Sequence, residues 1–163
     1  MLIPVVILGL GVDSSTKNPI VILKEIDGER MLPIWIGILE ANAIATELEG
    51  TKLLRPMTHD LLKNIMEKVD VKVKKVEVTD LKDNTYYAMI HMTHKGKDIA
   101  IDARPSDSLA ISLRMNAPVF VSEEVMSKSA QVDMKLEPED KSEEGMKWLK
   151  ILEKMDPKDF GNT

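Results

Sequence analysis

Hydrophobic and polar residues follow two different periods along the chain, and these periods predict its secondary structure. Stretches rich in Val, Ile and Leu, or with apolar residues at every second position, are typical of strands. Apolar residues spaced three or four positions apart predict helices. The predicted strands cover residues 2–12, 19–26, 30–36, 71–78, 85–93, 98–103 and 118–121, and the predicted helices cover 38–49, 58–69, 106–115 and 142–155.

The order of these elements favours an α+β domain, with helices packed against a mixed, largely antiparallel sheet of six or seven strands. The turns at Gly28 and Gly96 are each followed by a strand, a junction and a helix. This likeness suggests two related strand-turn-strand-helix units, with chance as the competing explanation. We expect one capped turn after Ser122. The predicted parts are a domain over residues 1–127, a polar linker over 128–140, a helix over 141–156 and a frayed tail over 157–163.

Composition limits the classes of protein that the chain can belong to. A chain of 163 residues is long enough to bury roughly 70% of its unfolded surface in one domain. The absence of cysteine excludes thiolate zinc sites, iron–sulfur clusters, disulfides and thiol nucleophiles. The apolar N-terminus lacks a basic region, and no apolar run reaches the length of about 18 residues that spans a membrane. We therefore expect a cytoplasmic protein without membrane association.

Charge and surface composition make further predictions about partners. The net charge of −5 opposes tight binding to nucleic acid through many phosphates, but it is compatible with transient catalysis. Charged residues form 30% of the chain and Gln131 is its single glutamine, which favours a thermophilic source, whereas eleven methionines oppose it. We expect a homodimer, because sheet edges and a methionine-rich surface need to be covered.

Two stretches share a pattern in which an Arg-Pro pair precedes a hydroxyl residue and then an acid. Ser106 and Thr58 are the predicted N-caps of the two helices, and Asp107 and Asp60 follow in their first turns. A helix N-terminus favours anions, so both junctions are suited to anion or metal binding. The two stretches are IDARPSDSLAISLRM, residues 101–115, and RPMTHDLL, residues 55–62.

These stretches belong to a set of four blocks that occur in a fixed order. The blocks are LPIWIGILEANAIATELEG, RPMTHDLL, VTDLKDNTYYAMI and IDARPSDSLAISLRMNAPVFV. Over residues 5–125, the sequence resembles the bifunctional nuclease family of small bacterial and plant proteins. The resemblance implies an α+β domain and nuclease activity on DNA and RNA, but it does not assign catalytic residues.

Hydrolysis of a phosphodiester with a metal needs carboxylates that bind a hard cation such as Mg²⁺ or Mn²⁺, a base that activates water, and positive groups that bind phosphate oxygens. Histidine is suited to the base because its pKa lies near neutrality, and arginine is suited to phosphate because its guanidinium binds oxygens in pairs. The candidate catalytic residues are Asp102, Asp107, His59 and Glu40, the candidate metal ligands are Asp60, Asp102 and Asp107, and the candidate substrate-binding residues are Arg55 and Arg104.

Each candidate also has a structural explanation. An acid in the first turn stabilises a helix by about 0.3–1 kcal/mol through the helix dipole alone, and the arginines can pair with these acids. The alternative to a nuclease is therefore a non-catalytic, oligomeric interaction or regulatory domain with structural arginine–carboxylate junctions. A domain that binds small phosphate esters is a third possibility.

Overall fold

Seven strands and four helices make up the part of the chain that the computed structural model describes, which is residues 1–133. The strands are β1 (Leu2–Val12), β2 (Pro19–Glu25), β3 (Met31–Trp35), β4 (Val71–Lys82), β5 (Thr85–His94), β6 (Lys97–Ala103) and β7 (Val119–Ser122). The helices are α1 (Ile38–Leu48), α2 (Thr58–Lys68), α3 (Pro105–Met115) and α4 (Glu123–Asp133). All seven strands expected from the hydrophobic period are present.

The strands form one mixed sheet in the order β3-β2-β1-β7-β4-β5-β6. Every neighbouring pair is antiparallel except β4 and β7, which are parallel. The predicted α+β class is therefore confirmed. Strands β1–β3 and β4–β6 form two meanders on either side of β7, and each meander ends in an edge strand that leads into a helix, α1 or α3. This arrangement matches the two strand-turn-strand-helix units suggested by the turns.

One face of the sheet carries the hydrophobic core. Alternation within the strands places buried side chains such as Leu23, Val76 and Ile90 in the same cluster as buried residues of all four helices. Helices α1 and α2 both pack on α3, which is the most deeply buried of the helices. The core thus brings the N-terminal ends of α1, α2 and α3 into one region.

The predicted N-caps of α2 and α3 were wrong by one or two residues. Met57, rather than Thr58, caps α2, and Arg104, rather than Ser106, caps α3. In α3 the first helical residue is Pro105, whose fixed φ suits this position and whose missing N–H costs nothing there. The hydroxyl residues therefore lie inside their helices, and the acids that follow occupy the third helical position.

The single turn predicted after Ser122 was also wrong, because α4 is eleven residues long. Its polar surface resembles a linker in sequence, but Val125, Met126 and Ser129 are buried. Residues 128–133 of the predicted linker are consequently helical. The remainder of that linker, the predicted helix over 141–156 and the predicted tail lie outside the described residues. Within residues 1–133, no helix combines the length and apolar character needed to cross a membrane.

Candidate functional site

Helices α1, α2 and α3 each carry an acid at the third helical position, and these acids are Glu40, Asp60 and Asp107. The helix dipole alone explains an acid at such a position. Only Asp60 also accepts a hydrogen bond from the backbone at its own N-cap, from Met57 N–H at 2.9 Å. The contacts of Glu40 and Asp107 are with Arg104 instead, so the dipole does not account for their arrangement.

Four side chains from three helix N-termini form a continuous chain of polar contacts, which we call the four-residue network. Arg104 donates from Nη1 to Glu40 Oε1 and from Nε to Asp107 Oδ2, at 2.8 Å each. The second carboxylate oxygen of Asp107, Oδ1, lies 2.9 Å from His59 Nε2. All four members were candidate site residues in the sequence. The Arg104 side chain is 65% exposed, whereas that of Glu40 is 18% exposed.

Electrostatics keeps the centre of the network charged. Partial burial by itself would raise the pKa of the Asp107 carboxyl, but hydrogen bonds from Arg104 and His59 outweigh it, and the pKa lies below its usual range. The hydrogen bond to Asp107, followed by that to Glu40, raises the pKa of Arg104. Asp107 is therefore ionised at neutral pH and holds two partners through separate oxygens.

A second ion pair lies beside the network and fixes α2 against α3. Arg114 donates from Nε to Asp60 Oδ1 at 2.7 Å and from Nη1 to the Ala110 carbonyl oxygen at 2.9 Å. The pKa of Asp60 is lowered by the Met57 N–H and by Arg114. Because His59 precedes Asp60 in α2, this pair orients the helix turn that carries His59. Sequence reasoning missed Arg114, whose only signal was its position in the last turn of a helix.

A cleft of about 410 Å³ opens next to Arg104. It lies between the end of β3, the start of β5 and the start of α3, and Trp35 and Tyr86 are among its walls. The indole N–H of Trp35 donates to Asp13 Oδ2 at 2.8 Å, and this bond, with further hydrogen bonds from the β1–β2 turn, lowers the pKa of Asp13. Sequence reasoning missed the Asp13–Trp35 pair, because the spacing of the two residues along the chain does not predict their contact.

Gly37 lines the same cleft and is the N-cap of α1. Its backbone has φ −78° and ψ 162°, so its conformation does not require glycine. Instead, a Cβ atom built at this position would collide with the Glu40 carboxylate. Glycine therefore leaves room for Glu40 to fold back over the start of α1 and reach Arg104.

Three predicted site residues lie outside the network: Asp60, which forms the ion pair with Arg114 beside it, and Asp102 and Arg55. Asp102 pairs with Met89 in the β5–β6 ladder, whereas the core-facing residues of β5 are Ala88 and Ile90. Directly opposed residues point to the same side of a sheet, so Asp102 lies on the face opposite the core, away from Asp107. Arg55 is exposed in the loop before α2, and it forms no ion pair with any residue that the structure describes.

Comparison with known proteins identifies the family. The family model described as "Bifunctional nuclease domain" matches residues 21–134. The chain belongs to the bifunctional nuclease domain family. It is similar to the uncharacterized protein Rv1829 of Mycobacterium tuberculosis, with 35% identity over 162 residues, which covers 96% of this chain and 97% of that protein.

Plant members of the family are more distant and longer. Identity to Bifunctional nuclease 1 of Oryza sativa subsp. japonica is 24% over 116 residues, which is 69% of this chain and 35% of the rice protein. Identity to Bifunctional nuclease 1 of Arabidopsis thaliana is 26% over 108 residues, which is 64% of this chain and 33% of the Arabidopsis protein. The family resemblance expected from the four sequence blocks is thereby confirmed.

The predicted metal ligands Asp60, Asp102 and Asp107 do not converge in this family member. Within residues 1–133, no group of three or more His, Asp or Glu side chains is arranged to hold a metal ion. The oxygens of Asp60 accept from Met57 and Arg114, and those of Asp107 face Arg104 and His59. The carboxylate oxygens of Asp60 and Asp107 are therefore engaged by other protein groups, and they do not fit a metal held by protein ligands alone.

Proposed function

We propose that this chain hydrolyses phosphodiester bonds in nucleic acid, with the four-residue network and the adjacent cleft as its active site. Membership of the bifunctional nuclease domain family and the names of the plant relatives support the reaction class. The observation that carries the location is the contact between His59 and Asp107 beside an exposed arginine. A base, a charged group that orients it and a phosphate-binding group thus occur together.

The proposed base is His59. Because the ionised Asp107 accepts a hydrogen bond from Nε2, it keeps the proton of a neutral imidazole on that nitrogen and leaves Nδ1 able to accept one. In hydrolysis a water oxygen bonds to phosphorus, its proton passes to His59 Nδ1, and the bond from phosphorus to the leaving oxygen breaks. The leaving oxygen then takes a proton from solvent. General-base catalysis of this kind contributes about 10²–10⁴-fold to the rate.

Arg104 is the proposed phosphate-binding group. Negative charge on the non-bridging oxygens is spread and increased in the transition state, and a guanidinium placed beside them stabilises it. Its side chain is 65% exposed, so a phosphate can reach it from the cleft. Glu40 orients Arg104 from the second side, which makes Glu40 a positioning residue in this mechanism.

We further propose that Mg²⁺ or Mn²⁺ supports the reaction. Mg²⁺ commonly binds one or two carboxylates together with substrate phosphates and water, so a group of three protein ligands is not a precondition. The test is cleavage in EDTA, followed by readdition of each cation. Full activity in EDTA would remove the metal from the proposal and leave the role of His59 untouched.

The decisive experiment compares matched variants of the full chain on labelled oligonucleotides. We expect His59→Gln and Asp107→Asn each to lower kcat/KM by about 10²–10⁴-fold. The control is Asp98→Asn, which changes an exposed carboxylate on β6 that pairs with Lys74 of β4. This variant is expected to cleave as the wild type does. Equal cleavage by all preparations would indicate a contaminating nuclease.

The variant Asp102→Asn decides between the two faces of the sheet. Asp102 lies on the face of the sheet opposite the core and contacts neither the proposed base nor the proposed phosphate-binding group, so we expect Asp102→Asn to leave kcat/KM within about twofold of the wild type. A loss as large as that of Asp107→Asn would return Asp102 to the catalytic set. It would also move the active site to the opposite face.

The second candidate function is an oligomeric interaction domain, and one observation favours it. Large apolar side chains are exposed near the start of α1 and from the following loop through α2, including Leu39 at 82% and Leu54 at 102%. Surfaces of this kind mark interfaces, and we propose that a second copy of the chain covers this one. Sedimentation velocity at micromolar concentration should show a dimer that Leu54→Glu dissociates. A wild-type monomer at that concentration would reject the proposal.

A further inference from the structure

We propose that the cleft beside Arg104 is a subsite for one nucleotide of a single-stranded nucleic acid. In this arrangement the base lies against Trp35 and Tyr86, and its phosphate lies at Arg104. The inference rests on the proposed function, because it assigns the substrate class of the same active site. It adds a requirement that hydrolysis alone does not impose, which is recognition of an unpaired base.

The size of the cleft supports a single nucleotide. Its volume of about 410 Å³ falls within the range of roughly 300–1,000 Å³ that holds small molecules. A base in a duplex is stacked and paired, so it enters a pocket only after it has left the helix. A cleft of this size therefore favours single-stranded nucleic acid or a nucleotide at a strand end.

The walls of the cleft supply the groups that bases recognise. Aromatic side chains stack on any base, because every base has a π face. Trp35 is fixed for this role, since Asp13 binds its ring nitrogen and is not itself a wall of the cleft. Two amide side chains, Asn18 and Asn84, also line the cleft, and an amide offers both donors and an acceptor to a base edge.

The charge of the cleft differs from that of the whole chain. The chain carries a net charge of −5, but among the described residues the cleft wall includes no carboxylate and a single charged side chain, Arg104. A phosphate in the cleft therefore meets the guanidinium of Arg104, whose carboxylate partners Glu40 and Asp107 contact it from outside the wall. The wall of the cleft thus carries a positive group although the chain as a whole is acidic.

The position of Arg104 connects the subsite with the chemistry. Arg104 lines the cleft and also contacts Asp107, whose other oxygen lies 2.9 Å from His59 Nε2. A phosphate held at Arg104 is thus connected to the proposed base through a single residue, Asp107. Binding of the base in the cleft would orient that phosphate, and correct orientation of reacting groups contributes strongly to rate.

The first test measures binding by isothermal titration calorimetry on the full chain, with thymidine 5′-monophosphate, thymidine and inorganic phosphate as probes. The monophosphate should bind at least about tenfold more tightly than either part, because it alone engages both the aromatic walls and Arg104. Trp35→Leu and Arg104→Gln should each weaken binding by about tenfold or more, whereas Trp35→Phe should retain it. Equal binding by Trp35→Leu and the wild type would overturn the proposal.

Matched controls separate the cleft from the rest of the surface. Tyr87→Leu removes an exposed aromatic side chain next to Tyr86 that does not line the cleft, and Lys72→Gln removes an exposed cation on β4. Both should bind the monophosphate as the wild type does. A loss in either control as large as in Trp35→Leu would place binding elsewhere. Circular dichroism of every variant checks that the variant is folded. If Trp35→Leu fails to fold, Arg104→Gln still tests the subsite, because the Arg104 side chain is mostly exposed.

The second test measures cleavage of a single strand and of the same sequence in a duplex. Preference for the single strand, with a KM that Trp35→Leu raises, supports both the subsite and the proposed function. Nucleotide binding in the cleft without any cleavage would reject the proposed function and retain the subsite. Cleavage that depends on Asp107, with equal rates on both substrates and no effect of Trp35→Leu, would reject the subsite and retain the function.

Discussion

The ion pair between Arg114 and Asp60 should be asymmetric, so that losing the acid costs more than losing the arginine. The Arg114 side chain is 3% exposed, whereas that of Asp60 is 32% exposed. Asp60→Asn leaves a buried guanidinium opposite a neutral group. Arg114→Met leaves a carboxylate that water and the Met57 N–H still solvate. The buried partner thus determines the cost.

Magnitudes follow from this geometry. Breaking a fully buried pair costs about 3–5 kcal/mol, and the partial exposure of Asp60 lowers our expectation to about 2–3 kcal/mol for Asp60→Asn. Arg114→Met should cost about 1 kcal/mol, because an apolar side chain of similar length fills the same space. The double variant should resemble Arg114→Met alone, so the coupling energy should be about 2–3 kcal/mol in favour of the pair.

The assay is urea unfolding followed by circular dichroism, with Asp98→Asn as the control. Asp98 pairs with Lys74 at the surface, at 73% and 52% exposure, and its loss should change the free energy of unfolding by less than about 0.5 kcal/mol. If Arg114→Met costs as much as Asp60→Asn, the assumption that the buried cation dominates is wrong. Asp60→Asn and Arg114→Met also test the positioning of His59, because the Arg114–Asp60 pair orients the helix turn that carries His59.

The pH dependence of this stability follows from the lowered pKa of Asp60. A carboxyl whose folded pKa lies below its unfolded value stabilises the fold at pH values above the unfolded value, which is about 3.9. The stabilisation is lost as the pH falls through the folded pKa. The difference between the wild type and Asp60→Asn should therefore be complete at neutral pH and decrease below about pH 4. A constant difference down to pH 2 would contradict this account.

Three further predictions concern the network and the cleft. Gly37→Ala should displace Glu40 and lower kcat/KM with little change in Tm. In a Glu40→Gln background, Gly37→Ala should cause no further loss of kcat/KM, and kcat/KM is measured in both backgrounds. Arg104→Lys should lower kcat/KM by about tenfold or more, because an ammonium does not bind two oxygens at once as a guanidinium does; a rate equal to the wild type would show that only its charge matters. Asp13→Ala should release Trp35 and weaken calorimetric binding of thymidine monophosphate, and unchanged affinity would show that the indole needs no anchor.

The secondary structure of this chain was largely predictable because its strands and helices keep regular apolar spacing. The sheet order was not predictable in the same way. Strand β7 has four residues and lies between β1 and β4, and its long-range pairing leaves no local signal in the sequence. Helix α4 was underestimated for a related reason, since a polar helix becomes stable only when tertiary packing buries residues such as Val125.

The convergence of the candidate residues was predictable in part, and the separate position of Asp102 has a physical cause. Helix N-termini attract acids, so three helix starts with acids were a sound basis for locating Glu40 and Asp107. Asp102 was placed with them because it immediately precedes the α3 junction. The alternation of Ile99 and Ile101 with their neighbours already set Asp102 on the opposite face. Spacing within a strand was the better guide than nearness to the junction.

The network also shows how the two units of the fold depend on each other. Glu40 belongs to the helix that follows the first meander, whereas Arg104 and Asp107 belong to the junction and helix that follow the second. Helix α2, which connects the two units in sequence, supplies His59. The proposed site is therefore assembled only when α1 and α2 dock on α3, and the buried Arg114–Asp60 pair fixes one of these contacts. The stability of that docking sets the geometry in which Asp107 holds both the proposed base and the proposed phosphate-binding group.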